Sequence, residues 1–132
     1  MMQELLVSLL FWISSHSMLM YDGNSVPKLA FITEQHLNSM AFGNNHPSAI
    51  RAGEYQVSGL YNPKMQTIFL LQSTNIDTAS GKALLVHELV HYLQYQNGQN
   101  PNGSIAELEP LAYGVEALFN NASQPRNSVL AQ

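Results

Sequence analysis

Val86-His87-Glu88-Leu89-Val90-His91-Tyr92-Leu93-Gln94 is the stretch whose reading decides the fold, because it contains an H-E-x-x-H. On an α-helix at about 100° per residue, His87 and His91 stand one turn apart and about 40° round the axis, so both imidazoles leave one face toward a common point. Imidazole nitrogen is a ligand type that zinc favours, and Glu88 sits beside the pair, placed to take a proton from a water held by the metal. Between Lys82 and Glu107 the only charged residue is Glu88, and Leu84, Leu85, Val86, Leu89, Val90 and Leu93 cover the other directions of the helix. A surface helix would carry a polar stripe opposite its apolar face. This one reads as a buried central helix, in which an ionised Glu and two His need partners. A metal ion supplies one.

The composition narrows the rest. At 132 residues the chain is expected to form one domain, and an apolar fraction of 45% supports a folded core. Only 11% of residues are charged and the net charge is −4, so no basic surface for nucleic acid is present. There is no cysteine, which rules out disulfides, thiolate zinc sites and cysteine nucleophiles. Any zinc must be held by His and carboxylate. The uncharged stretch from Leu5 to Tyr21 is preceded by Glu4, opens on no Lys or Arg, and is interrupted by Ser8, Ser14, Ser15, His16 and Ser17. It reads as a core helix rather than a signal peptide or a membrane span, with a cytoplasmic location and no membrane partner as the expectation.

Along the chain, Leu5, Leu6, Leu9, Leu10 and Ile13 fall at helical spacing, giving an N-terminal helix within residues 1–20, ended by Asp22-Gly23-Asn24-Ser25. Lys28 to Thr33 is a short β run, and Thr33 can cap a helix that reaches Phe42 and stops at Gly43. Asn44 to Gly53 is polar and reads as a loop. An alternating run from Tyr55 to Tyr61, a turn at Asn62-Pro63-Lys64 and a second β run from Gln66 to Gln72 make a hairpin. Asp77 or Ser80 can cap the motif helix, Gly81 weakens its first turn, and Asn97-Gly98 ends it. Beyond a turn-rich link at Gln99 to Gly103, Ser104 and Glu107 form a capping-box pattern for a helix continuing through Leu108, Leu111, Ala112, Val115, Leu118 and Phe119. Residues 123–132 read as a loose tail.

Two histidines leave a catalytic zinc one protein ligand short. Glu107, Glu109 and Glu116 are the downstream candidates. Glu107 already has a place in the capping box, whereas Glu109 shares a helix face with Ala112, Tyr113 and Glu116. His16, His36 and His46 have no partner at ligand spacing and read as locally satisfied histidines. Gln94, Tyr92 and Tyr95 are secondary candidates for the cleft, and Met18, Met20, Met40 and Met65 read as gap fillers.

The order His87-Glu88-Leu89-Val90-His91, a short linker, then Glu109-Pro110-Leu111-Ala112 resembles the gluzincin group of zinc metallopeptidases, over roughly residues 55 to 120. The resemblance implies zinc held by His87, His91 and Glu109, Glu88 as general base, and the strand at Gln66 to Gln72 lying beside the cleft to align an extended peptide. With the elements read along the chain, the expectation is an α+β fold over residues 1–132: a small antiparallel sheet of about three strands, packed on the buried motif helix and the glutamate helix, with the N-terminal helix added. The chain departs from the group at two places. Tyr113 stands where many members have an acid that orients a histidine, which leaves it to hydrogen-bond a ligand's outer nitrogen or to steady an oxyanion. Pro110 cannot donate to the Ala106 carbonyl, so the helix either kinks there or begins near Glu109. The expected activity is zinc-dependent peptide hydrolysis, with a partner or a second copy completing a cleft for which the sequence supplies one wall. The rival is a non-catalytic binding or scaffold domain that keeps the metal as a staple or has lost it.

Overall fold

The computed structural model describes residues 2–42, 58–99 and 105–123. Helix α1 (Met2–Ser15) buries Leu6, Leu9, Leu10 and Ile13, the four positions that helical spacing puts on one side. Its exit is fixed by the Asp22 carboxylate, which accepts from the main-chain N–H groups of Asn24 and Ser25 at 2.8 and 3.0 Å. The Asn97 side chain also ties this exit to the far end of the motif helix, accepting from Met20 N–H and donating to Met20 O at 3.0 and 2.9 Å.

Strands β1 (Lys28–Ile32), β2 (Gly59–Asn62) and β3 (Thr67–Leu71) form a sheet in the order β1-β3-β2. β2 and β3 are the expected antiparallel hairpin, with Tyr61 opposite Ile68, and Asn62 Oδ1 accepts from Met65 N–H in the turn. β1 instead joins β3 in parallel, Leu29 opposite Ile68, so the sheet is mixed rather than antiparallel throughout. The chain leaves β1 through α2 (Glu34–Phe42) and returns as a hairpin whose second strand runs with β1, the kind of crossover a parallel pair requires. Thr33 caps α2 as its sequence position suggested, accepting from His36 N–H at 3.1 Å. β3 is buried from Thr67 to Leu70, as befits a central strand covered on both faces. The expected strand start at Tyr55, the stop at Gly43, the loop at Asn44 to Gly53 and the tail beyond Ser123 lie outside the described residues.

Helix α3 (Ala79–Gln96) is the motif helix, and every residue from Leu85 to Gln94 is buried. Its cap is Thr78, which accepts from Gly81 N–H at 3.0 Å, rather than Asp77 or Ser80. Gly81 does more than weaken the first turn: a Cβ there would lie 1.9 Å from the Asn75 carbonyl oxygen, so the turn before the helix closes only over glycine. At the other end Asn97 caps the helix and Gly98 takes a left-handed φ of +79°, the stop read from the sequence.

After a 3₁₀ turn at Ile105–Glu107, helix α4 (Glu109–Ala122) begins with Pro110 in its first turn. The capping-box helix from Ser104 is therefore corrected. Ser104 lies outside the described residues, Glu107 is exposed in the 3₁₀ turn, and α4 starts at Glu109, with Leu108 at its N-cap position and no side-chain cap. Proline explains the choice, since it is tolerated in a first turn but would break a hydrogen bond farther in. α4 buries Ala112, Val115 and Phe119 and packs closely on α3; Trp12 of α1 meets Phe119 edge to face. The main core thus gathers α1, β2, β3, α3 and α4 around Leu10, Ile68, Leu89 and Val90. No helix among the described residues is long and apolar enough to cross a membrane.

Candidate metal centre

His87 and His91 leave α3 on the side that faces the start of α4, and Glu109 in the first turn of α4 reaches back to both. Glu109 Oε1 is 3.0 Å from His87 Nε2 and 2.6 Å from His91 Nε2. The ligand atoms of these three residues all lie within 4.8 Å of one another, compact enough for one metal ion. Starting α4 at Glu109 puts this carboxylate at the positive end of a helix dipole, a favourable place for an anion.

The outer nitrogens of both rings are also engaged. His87 Nδ1 meets Glu116 Oε1 at 2.9 Å, and His91 Nδ1 meets Gln94 Oε1 at 2.9 Å. The Gln94 amide is oriented by its other end, because Nε2 donates to the Leu108 carbonyl at 3.1 Å and so leaves the oxygen for His91. The Glu116 and Gln94 oxygens accept, so each Nδ1 donates and both rings turn Nε2 toward Glu109. Burial, the largest influence, lowers the His91 pKa and favours the neutral ring; Gln94 and Glu109 act in the opposite direction. Two ring nitrogens and a carboxylate oxygen thus converge on one point.

Glu88 faces the cleft from the same turn of α3. Burial first of all pushes its carboxyl up to about 7, with His87 lowering it, Glu109 and Glu116 raising it further, and the main-chain N–H of Tyr61 hydrogen-bonded to it. Gly59 in β2 makes room: a Cβ there would sit 3.1 Å from Glu88 Oε2 and 3.0 Å from a Leu70 methyl. Tyr61 lines the same cleft, and its phenol is pushed up to about 12 by burial, then by Tyr92 and Tyr95, so it is neutral.

The cleft over these groups has a volume of about 420 Å³ and is lined from the end of α2, β2, α3 and α4, including Phe42, Leu60, Leu84 and Tyr113. The strand beside it is β2, an edge strand among the described residues, whereas Gln66 to Gln72 runs through the middle of the sheet with both edges paired. The expectation that the later strand would align a peptide is corrected on that ground, since a strand with both neighbours in place has no free ladder to offer.

The chain's first 124 residues match the family described as "Domain of unknown function (DUF6647)". The chain belongs to that family. Comparison with curated proteins and with solved structures gives no match. In this DUF6647 chain the structure brings together His87, Glu88, His91 and Glu109, all singled out from the sequence. Tyr113 stands edge-on to the His87 ring, centroids 4.6 Å apart, and is 60% exposed, while Glu116 takes the ring nitrogen that Tyr113 had been given as one option. Sequence reasoning treated Glu116 only as a spare ligand and Gln94 only as a cleft residue. Their signals were present as spacings: Glu116 is two turns beyond Glu109, and Gln94 is three residues beyond His91. His16 is satisfied locally, stacking on Trp12 with Nδ1 at 2.8 Å from the Trp12 carbonyl. His46 lies outside the described residues.

Proposed function

We propose that this DUF6647 chain is a zinc-dependent hydrolase that cleaves peptide bonds, with His87, His91 and Glu109 holding the metal and Glu88 serving as general base. One observation carries the reading: two imidazole nitrogens and a carboxylate oxygen point at one another, at 2.6 and 3.0 Å, with both outer nitrogens already used. With neither proton nor cation between them, these atoms repel. A single proton could bridge only one of the two contacts, whereas a divalent cation satisfies all three atoms. A donor set of two imidazoles and one carboxylate is the kind that zinc takes in catalytic sites.

When bound, zinc supplies Lewis acidity that polarises a scissile carbonyl. The chain does the rest. Glu88 takes a proton from the attacking water on its carboxylate and passes it to the leaving amine. Gly59 lets the backbone of β2 close over that carboxylate, and the Tyr61 N–H holds it. Glu116 and Gln94 keep the two rings turned. The β2 edge that is unpaired among the described residues pairs with an extended peptide, and Tyr113 at the open side of the cleft meets the substrate carbonyl as charge develops there.

The test has two stages. Protein purified without added metal is expected to hold about one zinc per chain, and His87→Ala to hold none. Glu88→Gln is then expected to keep the metal and the fold and to lose about 10² to 10⁴ in rate on any peptide that the wild type cleaves. Zinc that is substoichiometric and not restored on titration defeats the metal assignment. Zinc retained alongside an undiminished rate in Glu88→Gln defeats the role of the base.

A further inference from the structure

Gln94 is 1% exposed, and its amide is one of the few polar side chains inside the main core. A Met or Leu would fill the space without the cost of burying an amide, so the amide is kept in place by what it bonds. Its oxygen accepts from His91 Nδ1 and its nitrogen donates to the carbonyl of Leu108. Leu108 immediately precedes Glu109. It is also the N-cap position of α4, a helix start that has no side-chain cap of its own. One amide therefore reaches a ring on α3 and the backbone that presents the carboxylate on α4. Reversing the amide would set NH₂ against a ring N–H and oxygen against a carbonyl, so a single orientation serves both arms.

We infer that Gln94 is a positioning residue that locks the His91 ring and the Glu109 end of α4 into one unit. The inference deepens the proposed metal site and rests on that reading for its consequence. Glu116 does a different job, since it orients only His87 and does so from α4 itself. Gln94 acts at two ligands at once. Its loss therefore has two separable effects: the His91 ring is freed to exchange tautomers, and Glu109 loses its registration against α3.

The experiment uses the full chain with Gln94→Met, which keeps the length and drops both bonds, and Gln94→Glu, which keeps an acceptor for His91 but has no amide donor for Leu108. In metal-free protein, ¹⁵N shifts of the His91 ring are expected to report one Nδ1–H tautomer in the wild type and in Gln94→Glu, and a mixture in Gln94→Met. Zinc affinity, measured with zinc alone by competition titration, is expected to fall about 10- to 100-fold in both variants. The penalty of Gln94→Met is expected to shrink in a Glu109→Gln background, which keeps a weaker ligand oxygen and so a measurable affinity, while that of Glu116→Gln stays the same. A folded Gln94→Met with the wild-type tautomer overturns the inference, as does an equal zinc penalty with and without the Glu109 carboxylate. If the wild type binds no zinc at all, the metal reading falls instead, and the ring shifts alone decide whether Gln94 positions His91.

Discussion

α3 and α4 meet at the same site under opposite conditions. α3 is buried along the whole stretch from Leu85 to Gln94, and it carries two of the three converging groups together with Glu88. α4 keeps an exposed side with Leu111 and Leu118 on it, begins without a side-chain cap, and carries the third group in its first turn. The contrast separates rigidity from placement. On α3 the spacing of His87 and His91 is set by the helix itself, whereas on α4 the position of Glu109 depends on where the helix starts and on what holds that start.

The contrast can be broken most directly at the ligands. His91→Ala and Glu109→Ala are both expected to lose stoichiometric zinc, read by elemental analysis; a Glu109→Ala protein that retains it would reduce the site to α3 alone. Packing is the next test. Leu89→Ala, in the middle of α3 and fully buried, is expected to cost about 2 to 5 kcal/mol in denaturant unfolding. Leu118→Ala, 48% exposed on α4, is expected to cost well under half as much. Equal costs would mean that the two helices are held alike. Glu116→Gln tests support from the α4 side and is expected to weaken zinc binding about 10- to 100-fold in a competition titration, with little change in stability. The smallest effect is at the helix starts: Thr78→Ala is expected to cost about 1 kcal/mol, and Asp77→Ala or Ser80→Ala close to nothing. A larger loss at Ser80 would return the cap to the sequence expectation.

What the sequence made legible follows the same division. The H-E-x-x-H, its burial and its stop at Gly98 are local periodic signals, and the structure places them as read. The hairpin from β2 to β3 was legible for the same reason. The pairing of β1 was not, because nothing in Lys28 to Ile32 encodes which edge it joins or in which direction. Glu107 shows two local signals in conflict. The pattern from Ser104 to Glu107 favours an early start, Pro110 favours a late one, and α4 begins at the later position. Glu109 was reached through a resemblance, and the structure sets its carboxylate against both imidazoles. Glu116 and Gln94 were seen as residues but not as ring holders, since those roles appear only once two helices are laid together.

The paired bonds between Asn97 and Met20 join positions 77 residues apart. They close a loop that contains the sheet, α2 and the whole of α3. The Met20 main-chain amide belongs to an exposed residue in a connecting segment, where exchange with solvent would ordinarily be fast. Here, among the described residues, it donates to a residue at the opposite end of the chain's central helix. Its exchange rate therefore reports whether that entire loop is shut. A single amide, followed in deuterated solvent with and without Asn97→Ala, becomes a clock for assembly of the unit that carries the site.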